Sequence, residues 1–298
     1  MILEISDTGQ KKIAVDSTQL EAFLTCPTQW KYAHKEQIEH ITVLPSEAIM
    51  MGGYGHFLFD KYYRARSTGV EENFNNAYAI AVDTPLLENE AFACILPETR
   101  RAEVRNRFLQ YTAAYGGERD FKIKSPQYSE VGFSHCIFET DEKKYVLEGR
   151  IDLLDVEYFG QRCFADHKFQ LKASPLYGKS IQFRNYALIA LETLHSYETC
   201  VINYIRFSKE ITQYTFQRQL VSFTADELQA WKQKLIEIFD QIAYCVSTNE
   251  YPQRFSSCAG KYNSLCQYTP LCEQLATPEL VQKIKDVSYK SKRPWSPW

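Results

Sequence analysis

The stretch Leu147-Glu148-Gly149-Arg150-Ile151-Asp152-Leu153-Leu154, together with Cys163-Phe164-Ala165-Asp166-His167-Lys168-Phe169-Gln170, decides how this chain folds. In both stretches polar and apolar residues alternate, which is the period of a β-strand with one packed face and one polar face. The short segment between them, Glu157-Tyr158-Phe159-Gly160-Gln161, predicts a turn. We therefore expect the two strands to pair as a hairpin that brings two carboxylates and one ammonium group to one spot.

Those three groups are Asp152 from the first strand and Asp166 and Lys168 from the second. Paired carboxylates repel each other, and a hard cation such as Mg²⁺ or Mn²⁺ relieves the repulsion while leaving coordination positions for water and a phosphate oxygen. A neighbouring lysine can position a water nucleophile or stabilise charge in the transition state. The alternative is a surface hairpin with an ordinary ion pair, which is what a single Asp-x-Lys usually is.

Further motifs accompany this pair. A predicted helix carries Gln182 and Tyr186 four residues apart, so both lie on one of its faces. With Gly149-Arg150-Ile151-Asp152, Asp166-His167-Lys168 and the upstream His56, the sequence resembles the RecB-like branch of the PD-(D/E)XK nuclease superfamily. The motifs of that branch are an upstream His, G-x-x-D, D/E-x-K and Q-x-x-x-Y, in this order. The second acid is Asp here rather than Glu, as is usual among RecB-like members.

The resemblance implies an α/β fold with a restriction-endonuclease-like core, in which a mixed sheet is flanked by helices. It also implies a site for Mg²⁺ or Mn²⁺. By the match, the metal ligands would be His56, Asp152 and Asp166, with the backbone carbonyl of His167 as a further ligand. These roles are expectations that the motifs carry over residue by residue.

The implied activity is metal-dependent hydrolysis of DNA phosphodiester bonds, exonucleolytic and on single strands or DNA ends. Asp152, Asp166 and Lys168 would be catalytic, and Lys168 would position or activate the attacking water. Gln182 and Tyr186 would bind the DNA strand and orient it. Similar stand-alone nucleases act in CRISPR adaptation, in recombination and repair, and in phage DNA processing, and the sequence does not choose among these settings. The Gly-x-x-x-x-Gly-Lys-Ser/Thr motif is absent, so unwinding would need a helicase, recombination or CRISPR partner.

Three cysteines, Cys258, Cys266 and Cys272, lie in one short segment with glycine and proline, which packing alone does not explain. Three thiolates need a fourth ligand. The resemblance implies that Cys26 supplies it and that the site holds a 4Fe-4S cluster. Structural Zn²⁺ is the alternative, because four thiolates are also a tetrahedral zinc set. The gap between Cys258 and Cys266 is wider than the C-x-x-C usual in cluster-bearing relatives. The other cysteines are expected to be core or incidental residues: Cys94, Cys136, Cys163, Cys200 and Cys245.

Such a cluster would staple the helical N- and C-terminal regions together around the nuclease core. The domain organisation that follows has four parts. We expect an N-terminal segment with one cluster cysteine at 1–50, the nuclease core at 51–250 with a helical insertion at about 70–125, the cysteine-rich loop at 251–276 and a basic tail at 277–298.

Composition limits the possible partners. The 298 residues carry a formal charge of −3, with a sequence pI of about 6.1, so a DNA contact must come from a local groove rather than from overall charge. Nine cysteines are an odd number, which argues against a complete secreted disulfide framework. No apolar run approaches the roughly 18 residues of a membrane span. We therefore expect a cytoplasmic protein without a membrane partner.

Local patterns add three expectations. Thr18 with Glu21, and Thr224 with Glu227, have the spacing of capping boxes that start helices. Glu130 lies on a predicted strand, where an ordinary edge carboxylate is favoured over support of the metal site.

A different class of function remains open at this point. The chain could be a non-catalytic DNA-end or protein-binding module that keeps the fold and the cluster. Intact His56, Asp152, Asp166 and Lys168 argue against that alternative, because a degenerated copy is expected to have lost at least one of them.

Overall fold

The computed structural model describes residues 3–5, 10–43, 46–67, 96–115, 121–123, 125–170, 177–194, 199–207, 215–259, 265–272 and 277–292. The helices of this part are α1 (Ser17–Thr25), α2 (Pro27–Trp30), α3 (Glu47–Ser67), α4 (Glu98–Tyr115), α5 (Ile181–Leu194), α6 (Ala225–Thr248), α7 (Thr269–Cys272) and α8 (Pro278–Ser288). The strands are β1 (Leu3–Ile5), β2 (Lys11–Val15), β3 (Ile38–His40), β4 (Phe121–Ile123), β5 (Ser129–Glu139), β6 (Lys143–Tyr158), β7 (Gln161–Gln170), β8 (Thr199–Arg206), β9 (Phe216–Ser222) and β10 (Tyr289–Ser291).

The chain forms two units. The first contains Met1–Leu44, Phe133–Gly149 and Gln229–Trp298, and the second contains Pro45–Gly132 and Arg150–Leu228. Of the predicted insertion at about 70–125, residues 70–95, with Cys94 among them, 116–120 and 124 lie outside the described residues, as does the end of the basic tail. None of the described helices combines the length and the apolar character needed to span a lipid bilayer.

In the first unit, β1 pairs antiparallel with β2, and β2 runs parallel to the first half of β6. Helix α1 ends at Cys26, whose extended backbone breaks the helix before Pro27 starts α2. The chain therefore forms two separate helices on either side of Cys26. The predicted cap of α1 is wrong: Asp16, not Thr18, is the N-cap, and its carboxylate accepts a hydrogen bond from the backbone N–H of Gln19 at 2.8 Å.

The second unit holds a sheet with the strand order β4-β6-β7-β8-β9. Strands β6 and β7 are antiparallel, and the two residues between them, Phe159 and Gly160, both have positive φ (48° and 77°). This backbone matches the right-handed twist of a tight hairpin. The predicted hairpin is thus confirmed. Strand β8 lies parallel to β7, and β9 is antiparallel to β8, so the sheet is mixed.

Helices cover both faces of this sheet. Helix α3 packs against β7, and α3 and α4 form one core with the side chains of Leu153, Ala165 and Val201. On the opposite face, α5 contacts the sheet where Phe164 meets Tyr186. The described part of the chain confirms the predicted fold class, a mixed sheet flanked by helices. Because side chains alternate along a strand, neighbouring residues of β7 point to different helices.

Strands β6 and β7 part at one end of the hairpin. Their register contains a bulge between Leu153 and Val156, and the last register pair is Leu153 with Ala165. Beyond it, Asp166, His167 and Lys168 are paired in register with β8. The next residues of the two strands, Asp152 and Asp166, therefore stand where the strands diverge.

Candidate metal centre

Three side chains of the second unit bring ligand atoms together. They come from α3 (His56), the start of β5 (Glu130) and β6 (Asp152), and their ligand atoms all lie within 4.8 Å of one another. His56 Nδ1 is 3.2 Å from Asp152 Oδ2 and 3.6 Å from Glu130 Oε1. Within the described residues this is the one group of three or more His, Cys, Asp or Glu side chains that is this close.

His56 reaches the sheet because a glycine precedes it. A Cβ atom built on Gly55 would lie 2.4, 2.6 and 2.8 Å from three ring atoms of Phe169 on β7, distances that real Cβ atoms do not show. The absence of a side chain at Gly55 thus permits close approach of α3 to β7. A Cβ atom on Gly52, in the same helix, meets nothing within 4 Å.

His56 and Asp152 shift each other's pKa in opposite directions. Burial alone would lower the pKa of His56, but the charges and hydrogen bonds of Asp152 and Glu130 raise it to about 10. Burial would raise the pKa of Asp152, but His56 and other neighbouring cationic groups lower it. Asp152 Oδ2 also accepts a hydrogen bond from the backbone N–H of His167 at 2.7 Å. Without a metal, the protonated imidazole therefore serves as the counter-ion of the carboxylate.

The sequence pattern favours an ordinary edge carboxylate for Glu130. The structure places it in the group of three, where it also pairs with Arg150 Nε at 3.1 Å, and burial raises its pKa. Its φ is 51°, a left-handed conformation that is uncommon for a residue with a Cβ atom. Arg64, paired with Asp60, donates to the carbonyl of Ser129 at 2.7 Å and anchors this backbone. Pairing of β5 with β6, the strand of the G-x-x-D motif, is the signal that would have identified Glu130.

Asp166 and Lys168 lie on the α5 face of the sheet. Asp166 is 1% exposed, and its Oδ2 is 2.8 Å from Lys168 Nζ. Burial raises the pKa of Asp166 to about 6, and the charge of Asp152 adds to this, although Lys168 opposes it. Burial would lower the pKa of Lys168, but Asp166 and Asp152 raise it. Asp166, although a predicted metal ligand, is not part of the group of three, but the charges of Asp152 and Lys168 act on its pKa.

Gln182 and Tyr186 continue this arrangement as a hydrogen-bond chain. Lys168 Nζ donates to Gln182 Oε1 at 3.1 Å, Gln182 Nε2 donates to the Tyr186 hydroxyl at 2.9 Å, and that hydroxyl donates to the Arg150 carbonyl at 2.6 Å. Tyr186 is 5% exposed. These two residues connect Lys168 to the strand of the G-x-x-D motif, and their contact with DNA stays a prediction.

The four cysteines of the predicted cluster lie in the first unit. The backbone N–H of Cys266 donates to the Cys258 carbonyl at 2.8 Å. Burial raises the pKa of Cys272 to about 11, and the charges of Cys266, Cys26 and Cys258 add to this, so the thiols lie within electrostatic reach of one another. The Arg254 side chain donates to the Leu24 carbonyl and so joins the two chain segments, and Gln253 donates to the Cys272 carbonyl within the C-terminal segment.

Comparison with known proteins gives the family and the fold of this chain. A family model described as the PD-(D/E)XK nuclease superfamily matches residues 17–273. A crystal structure described as "Putative exonuclease" from Eubacterium rectale has a similar fold, with a TM-score of 0.51 and 13% identity over 88% of this chain and 89% of that chain. The structure of SSO0001 gives a TM-score of 0.31 and 13% identity over 77% and 96%. No curated protein sequence matches significantly. Since the family match spans most of the chain, this protein belongs to the PD-(D/E)XK nuclease superfamily.

Proposed function

We propose that this nuclease is a Mg²⁺- or Mn²⁺-dependent deoxyribonuclease of the RecB-like branch that removes nucleotides from single-stranded DNA or DNA ends. The observation that carries the proposal is the group of ligand atoms of His56, Glu130 and Asp152 within 4.8 Å, beside Asp166 and its paired lysine. Imidazole nitrogen and carboxylate oxygens are donors that Mn²⁺ accepts readily, and carboxylates also suit Mg²⁺.

The charges of the site fit a divalent cation. Burial raises the pKa of Glu130 and of Asp166, which means that their negative charges are poorly stabilised in the free protein. A cation held by His56, Asp152, Asp166 and the His167 carbonyl, with Glu130 as an additional ligand, would relieve that repulsion. When bound, the metal supplies a Lewis acid for the phosphate and an activated water.

The protein groups around this position have separate tasks. Lys168 is held between Asp166 and Gln182, so its ammonium would orient the attacking water or stabilise negative charge on the phosphate. The backbone N–H of His167 fixes the Asp152 carboxylate. Arg150 is 43% exposed and pairs with Glu130, which leaves its guanidinium near the site for a DNA phosphate. Gln182 would guide the DNA strand on the α5 side.

A cleavage assay tests the proposal. Anaerobically purified protein with Mn²⁺ is incubated with labelled single-stranded and duplex DNA, free or blocked at the 5′ or the 3′ end. We expect shortening that one of the two blocks abolishes. Asp166→Asn and Lys168→Met should each lower the rate by about a hundredfold or more. Lys179→Met, which removes an exposed lysine, is the matched control. Equal cleavage by wild type and both site variants would show that the assigned site is wrong, and cutting of doubly blocked DNA would make the enzyme an endonuclease.

We further propose that Cys26, Cys258, Cys266 and Cys272 hold a 4Fe-4S cluster. What supports a shared site is that the charges of Cys266, Cys26 and Cys258 act on the pKa of Cys272 and that Arg254 joins the two chain segments. The resemblance to cluster-bearing nucleases chooses iron over zinc, which four thiolates also suit. Brown anaerobic protein with about four irons per chain would support this, and colourless protein with stoichiometric zinc would contradict it.

The same chemistry suits a reducing compartment and processes that produce DNA ends. Oxygen-sensitive thiolate ligands suit a reducing compartment, so we place the protein in the cytoplasm. DNA ends that need trimming arise in CRISPR adaptation, in recombination and repair, and in phage DNA processing. A helicase partner would supply single strands to this enzyme. A protein that binds DNA ends without cleaving them in the assay above would instead be the non-catalytic module.

A further inference from the structure

Three polar side chains lie side by side across β7, β8 and β9. His167 is the register partner of Asn203, and Asn203 is the register partner of Arg218. Directly paired residues in neighbouring strands point to the same face of a sheet. His167 is 2% exposed and Asn203 is fully buried. Burial of polar groups destabilises a core unless they are hydrogen-bonded, so these three side chains must be hydrogen-bonded to one another or to other groups.

The chemistry of the side chains decides which atom donates in each hydrogen bond of the row. Arg218 has donors only, so Asn203 Oδ1 must be the acceptor of its Nε, at 3.4 Å. This fixes the amide with Nδ2 towards His167 Nδ1, at 3.1 Å. His167 Nδ1 then accepts, which places the ring proton on Nε2. The hydroxyl of Tyr111 accepts from Asn203 Nδ2 and, at 3.2 Å, from Arg218 Nη2.

Two aromatic rings of α3 pack against the His167 imidazole. The ring of Tyr63 is stacked on it, with an interplanar angle of 5° and centroids 5.4 Å apart. The Phe59 ring lies 4.4 Å from it, tilted by 31°. Both rings belong to α3, the helix that carries His56. The imidazole is therefore hydrogen-bonded to the row and packed against two rings of α3.

The position of His167 in β7 links the row to the metal centre. Register pairing between β6 and β7 ends at Leu153 and Ala165, so the segment Asp166–Lys168 is supported in register from the β8 side. In this segment the backbone N–H of His167 donates to the Asp152 carboxylate at 2.7 Å. A shift of His167 would thus move the support of Asp152 and the positions of its two catalytic neighbours at once.

We propose that Arg218 and Asn203 are positioning residues that hold His167, and through its main chain the metal centre, in the geometry that binds a divalent cation. The inference rests on the proposed function in one respect, namely that the centre binds such a cation. Neither residue needs to touch metal or DNA. Partners of metal-binding groups at this distance typically change metal affinity by about 10- to 100-fold when they are removed.

Mn²⁺ binding to the full-length, anaerobically purified protein tests the inference, measured by calorimetry and by electron paramagnetic resonance of free Mn²⁺. Asn203→Leu should weaken binding by about 10- to 100-fold. It should also raise the Mn²⁺ concentration for half-maximal cleavage while leaving the KM for DNA unchanged. Arg218→Met should weaken binding, and Arg218→Lys, which keeps a donor for Asn203, should restore part of it. Gln219→Ala, an exposed neighbour in β9, is the control and should bind as wild type does.

The outcomes separate the two proposals. A folded Asn203→Leu protein with wild-type Mn²⁺ affinity overturns the positioning role and leaves the proposed function standing. If Asn203→Leu does not fold, the Arg218 variants decide, because wild-type affinity in Arg218→Met overturns the inference equally. Wild-type protein that neither binds Mn²⁺ nor cleaves DNA overturns both.

Discussion

Substitution of Gly55 by alanine tests how closely α3 must approach the sheet for His56 to reach the centre. The new Cβ atom would lie 2.4 Å from the nearest Phe169 ring atom, whereas ordinary contact begins at 3.4 Å, so the ring or the helix must move by about 1 Å. The Phe169 ring is confined by the rings of Phe59 and Phe207, at 5.5 and 5.8 Å. Overpacking of this kind destabilises a core by about 1–3 kcal/mol.

Alanine also favours the helix by about 1 kcal/mol relative to glycine. The expected net destabilisation is therefore about 1 kcal/mol, accompanied by a loss of about tenfold in Mn²⁺ affinity because His56 is adjacent to Gly55. Thermal melting and Mn²⁺ calorimetry measure the two effects. The matched control is Gly52→Ala in the same helix, which meets no atom within 4 Å and should stabilise the protein by about 0.5–1 kcal/mol. A Gly55→Ala protein that is as stable as the control and binds Mn²⁺ like wild type would refute the reasoning.

Three further predictions concern the same centre. The pKa of His56 is about 10, so its charged form stabilises the metal-free protein until the pH rises through that value. Mn²⁺ must displace this proton in order to bind. In a chelator competition, Mn²⁺ affinity should therefore rise by up to about tenfold per pH unit from pH 6.5 to 8.5. A pH-independent affinity would contradict the displacement. Glu130→Gln should weaken Mn²⁺ binding by about tenfold or more, since it removes a charged ligand, and unchanged calorimetry would return Glu130 to an edge carboxylate. Tyr186→Phe removes the hydrogen bond to the Arg150 carbonyl and should lower the free energy of unfolding by about 1 kcal/mol. It should also weaken DNA binding if the hydroxyl contacts the strand, and unchanged DNA affinity would contradict that predicted contact.

The sequence predicted the parts of this centre that local pattern determines. Alternation in the two strands and the Phe159-Gly160 turn fix the hairpin, and helical spacing places Gln182 and Tyr186 on one face. The second capping box is also confirmed, since Thr224 and Glu227 exchange hydrogen bonds at the start of α6. These features depend on residues that are close in the chain.

Features that depend on distant pairing were missed. Glu130 joins the centre only because β5 pairs with β6, and Asn203 meets His167 only through the register of β7 and β8. Neither residue belongs to a local motif. The cap of α1 failed for another reason: Asp16 and Thr18 are competing candidates, and Asp16 with Gln19 satisfies the same spacing rule. Local propensity could not rank them.

The backbone of Glu130 has an evolutionary consequence. A left-handed conformation costs a residue with a Cβ atom about 1–2 kcal/mol, and glycine or asparagine would adopt it more easily. Selection for stability alone would therefore replace this glutamate. A use for the carboxylate would offset this cost, so homologues that lack the cation should hold glycine or asparagine at position 130 more often than homologues that bind it.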